Sequence, residues 1–186
     1  MDHRTRFLTT IARAPVDRPA SWLGLPTTQA LPGLYAYFGV ASSAELHALL
    51  DDDIYPVELP YHSPTSDAVY MVFDFALQGA ADVAHRTLTT PGFFADRSAT
   101  ESIDDFPWPD PARYIDPAAC RAAVDAAPKD DAVLGVVWSA HFQDACAAFG
   151  METALIKMVT EPEMYRAIDE RITAFYLRAN GLFYEA

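Results

Sequence analysis

The chain has 186 residues, of which 51% are hydrophobic and 12% aromatic, enough for one domain with a core of its own. Its formal net charge of -13 at pH 7 repels nucleic-acid phosphates and anionic lipids, so neither nucleic acid nor a membrane is expected as a partner. Solubility is the simpler explanation of this charge. The two cysteines, Cys120 and Cys146, form no Cys-x-x-Cys pair, which favours a reducing cytoplasm over a secreted disulfide scaffold.

The first sixty residues predict helices and two short strands. The N-terminal segment is amphipathic and lacks the apolar run of a signal peptide. Thr27 or Thr28 can cap the second helix and Ser42 or Ser43 the third, with Gly39 as the C-cap between them. In chain order the predicted elements are a helix over 4–14, a strand over 20–23, a helix from 27 or 28 to 38, a helix from 42 or 43 to 50 and a strand over 54–59.

The segment 60–116 is irregular, because prolines divide it into short pieces. Val69–Phe75 and Arg86–Thr90 look extended and are predicted to pair as a hairpin. Thr100–Pro111 is acidic and rich in proline, and is predicted to be a surface loop anchored by Trp108. A long connection of this kind is usually functional, for example as a lid over a site.

The C-terminal part of the chain predicts a strand followed at once by helices. Ala132–Trp138 is an apolar run with three valines, typical of a parallel strand buried on both faces. A helix capped by Asp116 precedes this strand, and residues 141–158 continue in a helical pattern. A long helix then starts near Pro162 and is predicted to end before Gly181. The alternation of helices and strands predicts an α/β fold with parallel crossovers.

Polar side chains follow the apolar strand at its C-terminal end, where ligands bind in parallel α/β folds. His141 is a candidate general acid or base; the alternative is a histidine at a helix start that only hydrogen-bonds its neighbours. Trp138 and Phe142 are candidates for an aromatic wall against a flat ligand, with core packing as the alternative. Ser139 is a candidate donor to an anionic group, or simply the N-cap of the next helix.

Tyr61 and His62 follow the preceding strand and are expected near the same mouth, which makes them candidate ligand-binding residues beside His141. Two histidines so far apart in the sequence do not establish a metal site, and no metal is predicted within this chain. Cys146 lies in an apolar stretch and is predicted to be a small buried side chain.

Short segments along the whole chain, none of them highly specific alone, carry a family resemblance. They are Arg4-Thr-Arg-Phe-Leu, Pro15-Val-Asp-Arg-Pro, Trp22-Leu, Phe38-Gly-Val, Asp52-Asp-Ile, Trp108-Pro-Asp-Pro, Gly135-Val-Val-Trp, Phe149-Gly-Met-Glu-Thr-Ala, Glu161-Pro-Glu-Met and Ile172-Thr-Ala-Phe-Tyr. In their order and spacing these segments resemble the uroporphyrinogen decarboxylase family.

The resemblance implies a (β/α)8 TIM-type barrel. A barrel of this kind needs about 250 residues, so residues 1–186 are interpreted as one incomplete domain, the N-terminal half of a barrel, with parallel strands and a hairpin excursion. A half-barrel exposes strand edges and its inner face. We therefore expect association with a missing C-terminal half-barrel or self-association, and we expect this chain alone to be inactive.

The family contains tetrapyrrole decarboxylases and zinc-dependent corrinoid methyltransferases, which leaves two activities open. The decarboxylases hold substrate carboxylates with an Arg-Gln-Ala-Gly-Arg segment, whereas here Trp22 is followed by Leu-Gly-Leu-Pro-Thr-Thr. The missing arginines favour corrinoid-dependent methyl transfer. The methyltransferases bind zinc through a His-x-Cys segment that this chain lacks, so zinc and a corrinoid partner are implied only for a complete member. The alternative is a non-catalytic subunit or ligand-binding module.

Asp53 matches, by its position before Ile54, the aspartate with which the decarboxylases hold pyrrole N–H groups. The resemblance thus implies a catalytic role for Asp53 alongside His141. A run of three aspartates after a helix is as readily explained as a solvated turn, and both readings of Asp53 stay open.

Overall fold

The computed structural model describes residues 1–64, 72–76, 87 and 89–186. The chain divides into two compact units. Unit 1 comprises Met1–Glu58 and Ala122–Val136, and unit 2 comprises Leu59–Arg121 and Val137–Ala186.

Unit 1 contains three short helices and both strands of the described part of the chain. Its elements are α1 (His3–Ile11), α2 (Leu31–Phe38), α3 (Ser43–Leu50), β1 (Ile54–Glu58) and β2 (Ala132–Val136). Helix α4 (Pro117–Asp125) continues from unit 2 into unit 1. Helix α1 packs against both strands.

The two strands form a parallel pair in which Ile54 lies opposite Ala132 and Glu58 opposite Val136. The amide of Ala132 donates to the Asp53 carbonyl over 3.1 Å. The backbone N–H and C=O groups of every second β1 residue, counted from Asp53, therefore point towards β2. Pro56 then falls on the other edge of β1, where its missing N–H breaks no hydrogen bond of the pair. The predicted parallel strand over 132–138 is therefore confirmed over Ala132–Val136.

The predicted half-barrel is wrong, because the described residues form only a two-stranded sheet that does not close. Residues 20–23 do not become the expected first strand. Instead, the amide of Ser21 donates to the side chain of Asp53 over 2.8 Å. This N–H group is therefore not available for a hydrogen bond to a neighbouring strand. The expected burial of β2 on both faces is also wrong, since Val133 is 43% exposed. The expected hairpin of 69–75 and 86–90 falls largely outside the described residues.

The predicted caps at Ser42 and Gly39 are confirmed, but the predicted cap of α2 by Thr27 or Thr28 is wrong, because Ala30 is its N-cap and makes no side-chain cap hydrogen bond. Asp2 accepts the Thr5 amide at the start of α1, and Ser42 accepts the Glu45 amide at the start of α3. Gly39 ends α2 with a φ of 68°, a left-handed conformation that glycine adopts without steric cost. Helix α2 begins later than predicted, because residues 27–30 form a turn first.

Unit 2 is built around three helices that pack on one another: α5 (His141–Phe149), α6 (Met151–Thr160) and α7 (Pro162–Glu185). Two 3₁₀ helices, at Thr100–Asp105 and Pro111–Arg113, precede α4. The predicted helix over 141–158 is two helices, because Gly150 takes a non-helical conformation with φ 85° and ψ 133°. Helix α7 does not end before Gly181 but continues to Glu185. The buried side chain of Phe183 stabilises its last turns by packing.

An aromatic cluster forms much of the core of unit 2. Ring centroids of neighbouring members lie 4.8–6.1 Å apart, and the members are Phe73, Phe75, Phe93, Phe94, Phe106 and Trp108. The segment that carries Phe93 and Phe94 lies directly on the end of α5. A Cβ at Gly92 would come within 2.1 Å of the Ala147 carbonyl oxygen, so this approach requires glycine.

Among the residues described, no helix is both long enough and apolar enough to span a lipid bilayer.

Candidate functional site

The run Asp51–Asp53 is not a solvated turn, since two of its three carboxylates are buried in unit 1. Asp53 is 0% exposed. One of its oxygens accepts Arg6 Nη1 at 2.6 Å and lies 3.0 Å from His3 Nδ1, and the other accepts Arg18 Nη1 at 2.6 Å and the Ser21 amide at 2.8 Å. We call these five residues the Asp53 cluster.

The electrostatics of the Asp53 cluster favour the carboxylate anion. Burial is the largest influence and by itself raises the pKa of Asp53, but the Ser21 amide, Arg6, His3 and Arg18 together outweigh it, so the pKa lies well below its usual range. The Arg6 guanidinium also holds the pKa of Asp17 well below its usual range, by donating to it over 2.8 Å. Asp53 therefore ties α1 and the segment after it to the start of β1.

The other two aspartates of the run have their own partners. Asp52 lies 2.5 Å from His47 Nδ1 and accepts the Leu23 amide at 3.2 Å. Asp51 ends α3 in a left-handed conformation and accepts Arg18 Nη2 at 2.6 Å. The whole run thus holds neighbouring segments of unit 1 together.

Unit 2 also buries a carboxylate, at the first turn of α5. Asp144 is 6% exposed, and Tyr176 of α7 donates to it with an oxygen–oxygen distance of 2.5 Å. Burial raises the pKa of Asp144 to about 6, and the hydrogen bond from Tyr176 offsets only part of that rise. Burial and the neighbouring Asp144 raise the pKa of Tyr176 far above its usual range.

His141 lies beside this pair. Its ring centroid is 5.1 Å from that of Tyr176, with the ring planes tilted by 51°. His141 occupies the first position of α5 and is half-buried, so one side of the imidazole packs while the other reaches solvent. Its proposed acid–base role stays a prediction.

The structure separates the remaining predicted residues by exposure. Asp53 belongs to unit 1 and all the others to unit 2. Trp138 and Phe142 are 42% and 54% exposed, so core packing does not explain them, and Ser139 is exposed too. Ser139 is not the N-cap of α5, because that position belongs to Ala140.

Tyr61 and His62, the two candidate residues that follow β1 in the chain, differ in their burial. Tyr61 is buried, its ring lies 6.0 Å from that of Tyr114 and 6.3 Å from that of Phe175, and burial raises its pKa to about 12. His62 is exposed and its amide donates to the Tyr114 carbonyl over 3.3 Å. Tyr61 and His141 both lie against the middle of α7, through Phe175 and Tyr176 respectively.

Unit 2 also contains a pocket of about 340 Å³ that the sequence reasoning did not place. Aromatic and proline side chains form most of its wall, with a serine, two aspartates and an arginine. The lining residues are Ser63, Pro64, Val72, Asp74, Phe106, Pro107, Trp108, Pro109, Asp110, Arg113 and Tyr114. We call it the Trp108 pocket. Within the described chain, none of the predicted site residues is among its lining residues.

Local structure holds the wall of the Trp108 pocket in place. The indole N–H of Trp108 donates to the Ile103 carbonyl over 2.8 Å, and the ring packs within the aromatic cluster. Asp110 accepts the Ala112 amide at 3.0 Å and so caps the 3₁₀ helix that carries Arg113. The Arg113 guanidinium lies 5.9 Å from the Tyr114 ring centroid. The segment Trp108-Pro-Asp-Pro is the part of this wall that the sequence singles out, as a loop anchor and as one of the segments that carry the family resemblance.

Neither cysteine has an obvious chemical role. Cys120 and Cys146 are free and buried, and burial raises the pKa of both thiols, so the prediction of Cys146 as a small buried side chain is confirmed. Within the described ranges, no three His, Cys, Asp or Glu side chains lie together in a way that could hold a metal ion.

Comparisons with protein-family models, with curated proteins and with solved structures return no match. The resemblance to the uroporphyrinogen decarboxylase family, and the activities it implies, stay predictions.

Proposed function

We propose that this protein is a ligand-binding module whose site is the Trp108 pocket. The observation that carries the proposal is a cavity of about 340 Å³ with aromatic and proline walls and a few charged groups. Small-molecule sites have this composition, with volumes of about 300–1,000 Å³. A free, buried pair of cysteines suits a protein of the reducing cytoplasm.

The volume indicates the size of the ligand. A cavity near the lower limit for ligand sites accepts one substituted aromatic ring, whereas a macrocycle of four pyrrole rings is too large for it. The wall supports a flat, apolar body, because Trp108 and Phe106 offer ring surface and Pro107 and Pro109 offer rigid apolar edges.

Binding rather than catalysis is favoured by the state of Asp53. In the described structure both of its oxygens already accept short hydrogen bonds from protein donors, and its side chain is fully buried. A ligand N–H group would have to displace one of two arginines to reach it, at the cost of a buried ion pair. The pocket needs no such displacement.

The test uses tryptophan emission with 3-phenylpropanamide, a neutral one-ring probe. We expect binding in the millimolar range, as for any ligand of this size, with a change in emission. Trp138→Phe should retain that change, because Trp138 does not line the pocket, and Trp108→Phe should lose it while keeping a ring in the aromatic cluster.

Two results would contradict the proposal. One is no change in emission of the wild-type protein up to the solubility limit of the probe. The other is a change that survives in Trp108→Phe and disappears in Trp138→Phe, which would move the site to the exposed aromatic residues after β2. Unchanged circular dichroism of both variants is the control for folding.

A further inference from the structure

The charges on the wall of the Trp108 pocket have both signs. Asp110 and Arg113 line the same cavity and are separated by one turn of the 3₁₀ helix, in which the Arg113 amide donates to the Asp110 carbonyl over 3.1 Å. Asp110 is the N-cap of this helix and Arg113 its last residue, and both contribute to the same wall. In the part of the chain that the structure describes, no ion pair joins them.

Each side chain keeps capacity for a ligand. Asp110 uses one carboxylate oxygen to accept the Ala112 amide, which leaves its second oxygen for another donor. Within the described residues the Arg113 guanidinium makes no ion pair, and its neighbour is the face of the Tyr114 ring. A guanidinium of this kind can grip a carboxylate through two parallel N–H bonds.

We propose that the Trp108 pocket binds a small zwitterion, namely an ammonium and a carboxylate on one apolar body. Arg113 binds the carboxylate, Asp110 binds the ammonium, and the aromatic wall around Trp108 contacts the apolar body. The proposal rests on the proposed function, because it assigns a ligand class to the same pocket.

Ligands with a single charge fit this wall less well. An anion that meets Arg113 also meets the carboxylate of Asp110 on the same wall, and a cation that meets Asp110 also meets Arg113. A like charge at close range costs binding energy, whereas a zwitterion gains at both ends. An α-amino acid with one aromatic ring has the required charges and fits the volume.

The experiment compares four probes on the wild-type protein by calorimetry at pH 7: L-phenylalanine, 3-phenylpropionate, 2-phenylethylamine and 3-phenylpropanamide. They share one ring and differ in charge. We expect L-phenylalanine to bind about tenfold more tightly than 3-phenylpropionate and 2-phenylethylamine, which each lack one charge-assisted contact, and more tightly still than 3-phenylpropanamide, which lacks both.

Two variants assign the charges to their partners. Arg113→Gln should weaken L-phenylalanine about tenfold, while 2-phenylethylamine, which has no carboxylate, binds as before or better. Asp110→Asn keeps the cap on the Ala112 amide, and should weaken L-phenylalanine while 3-phenylpropionate binds as before or better. Arg121→Gln, an exposed change outside the pocket lining, is the control and should alter nothing.

The outcomes separate this inference from the proposed function. If the neutral amide or either singly charged probe binds as tightly as L-phenylalanine, the ligand class is wrong and the pocket still binds ligands. If Arg113→Gln weakens the binding of all four probes equally, the arginine supports the pocket wall and does not bind the carboxylate of the ligand. That result also overturns the inference. If no probe binds, both proposals fall.

Discussion

Asp53 in unit 1 and Asp144 in unit 2 are both buried, and their environments shift the pKa in opposite directions. Asp53 in unit 1 has two arginines, a histidine and a backbone amide around it, and its pKa is lowered. In the described part of the chain, Asp144 of unit 2 accepts a side-chain hydrogen bond from one tyrosine hydroxyl, and its pKa is raised to about 6. Burial raises the pKa in both cases.

The difference shows that the donors around a buried carboxylate decide whether they outweigh the effect of burial and lower its pKa. At neutral pH the anion of Asp53 stabilises unit 1, whereas the anion of Asp144 destabilises unit 2. Stability therefore depends on pH in opposite senses at the two sites. Asp53 contributes stability above the unfolded pKa of about 3.9, and this contribution is lost as the pH falls.

The largest effect is expected when Asp53 is removed. Asp53→Ala leaves Arg6 and Arg18 without their buried partner, and breaking a buried ion pair costs about 3–5 kcal/mol. Urea unfolding followed by circular dichroism at pH 7 measures the loss. The loss should shrink as the pH falls below about 4, because the unfolded wild-type chain then binds a proton at Asp53 while the folded protein, with its lowered pKa, does not.

Asp51→Asn is the matched control for that prediction. Asp51 lies in the same run and pairs with the same Arg18, but its side chain is exposed, and exposed ion pairs contribute little. Equal destabilisation by Asp51→Asn and Asp53→Ala would mean that burial of the Asp53 cluster is not what makes it stabilising.

Local patterns were enough to predict most helices and both strands of unit 1. Ser42, Gly39 and the proline at the start of α7 act within a few residues, so their effects can be derived from neighbours in the chain. The Asp53 cluster could not be derived in this way. It joins Arg6, Arg18 and Asp53, which only the folded chain brings together.

The barrel prediction failed for a related reason. Apolar runs such as 132–138 indicate that a strand forms, but not how many strands pair with it. The candidate pocket was missed because Ser63, Val72 and Trp108 come from separate irregular segments. Irregular segments have no periodicity from which their contacts can be predicted, so only Trp108 itself was identified as an anchor.

The Asp144 side of the comparison predicts a stabilising substitution. Asp144→Asn removes the cost of a buried anion while Tyr176 can still donate to the amide oxygen. A pKa raised from 3.8 to about 6 corresponds to a gain of up to about 3 kcal/mol above pH 6. Urea unfolding measured from pH 4 to pH 8 tests this.

The sign of the pH dependence follows from the raised pKa. Folded wild-type protein binds the proton of Asp144 more tightly than unfolded protein, so its stability falls as the pH rises from about 4 to about 6 and is then level. Asp144→Asn should remove that slope, and Asp96→Asn, an exposed control in unit 2, should not. A variant that is less stable than wild type at pH 8 would show that the anion of Asp144 stabilises unit 2.

The smallest effect is expected for Tyr176→Phe, which removes the donor to Asp144 and keeps the ring against Phe175 and His141. Loss of the hydrogen bond should cost about 1 kcal/mol at pH 8, and the pKa of Asp144 should rise further because its anion loses a donor. The pH-dependent part of the stability curve should therefore move to higher pH.

Tyr165→Phe on the same helix is the control, since Tyr165 stacks on Phe149 and donates to no carboxylate in the described structure. In the Asp144→Asn background, Tyr176→Phe should no longer move the curve, because the titrating group is gone. A shift that persists in that background would assign the pH dependence to a group other than Asp144.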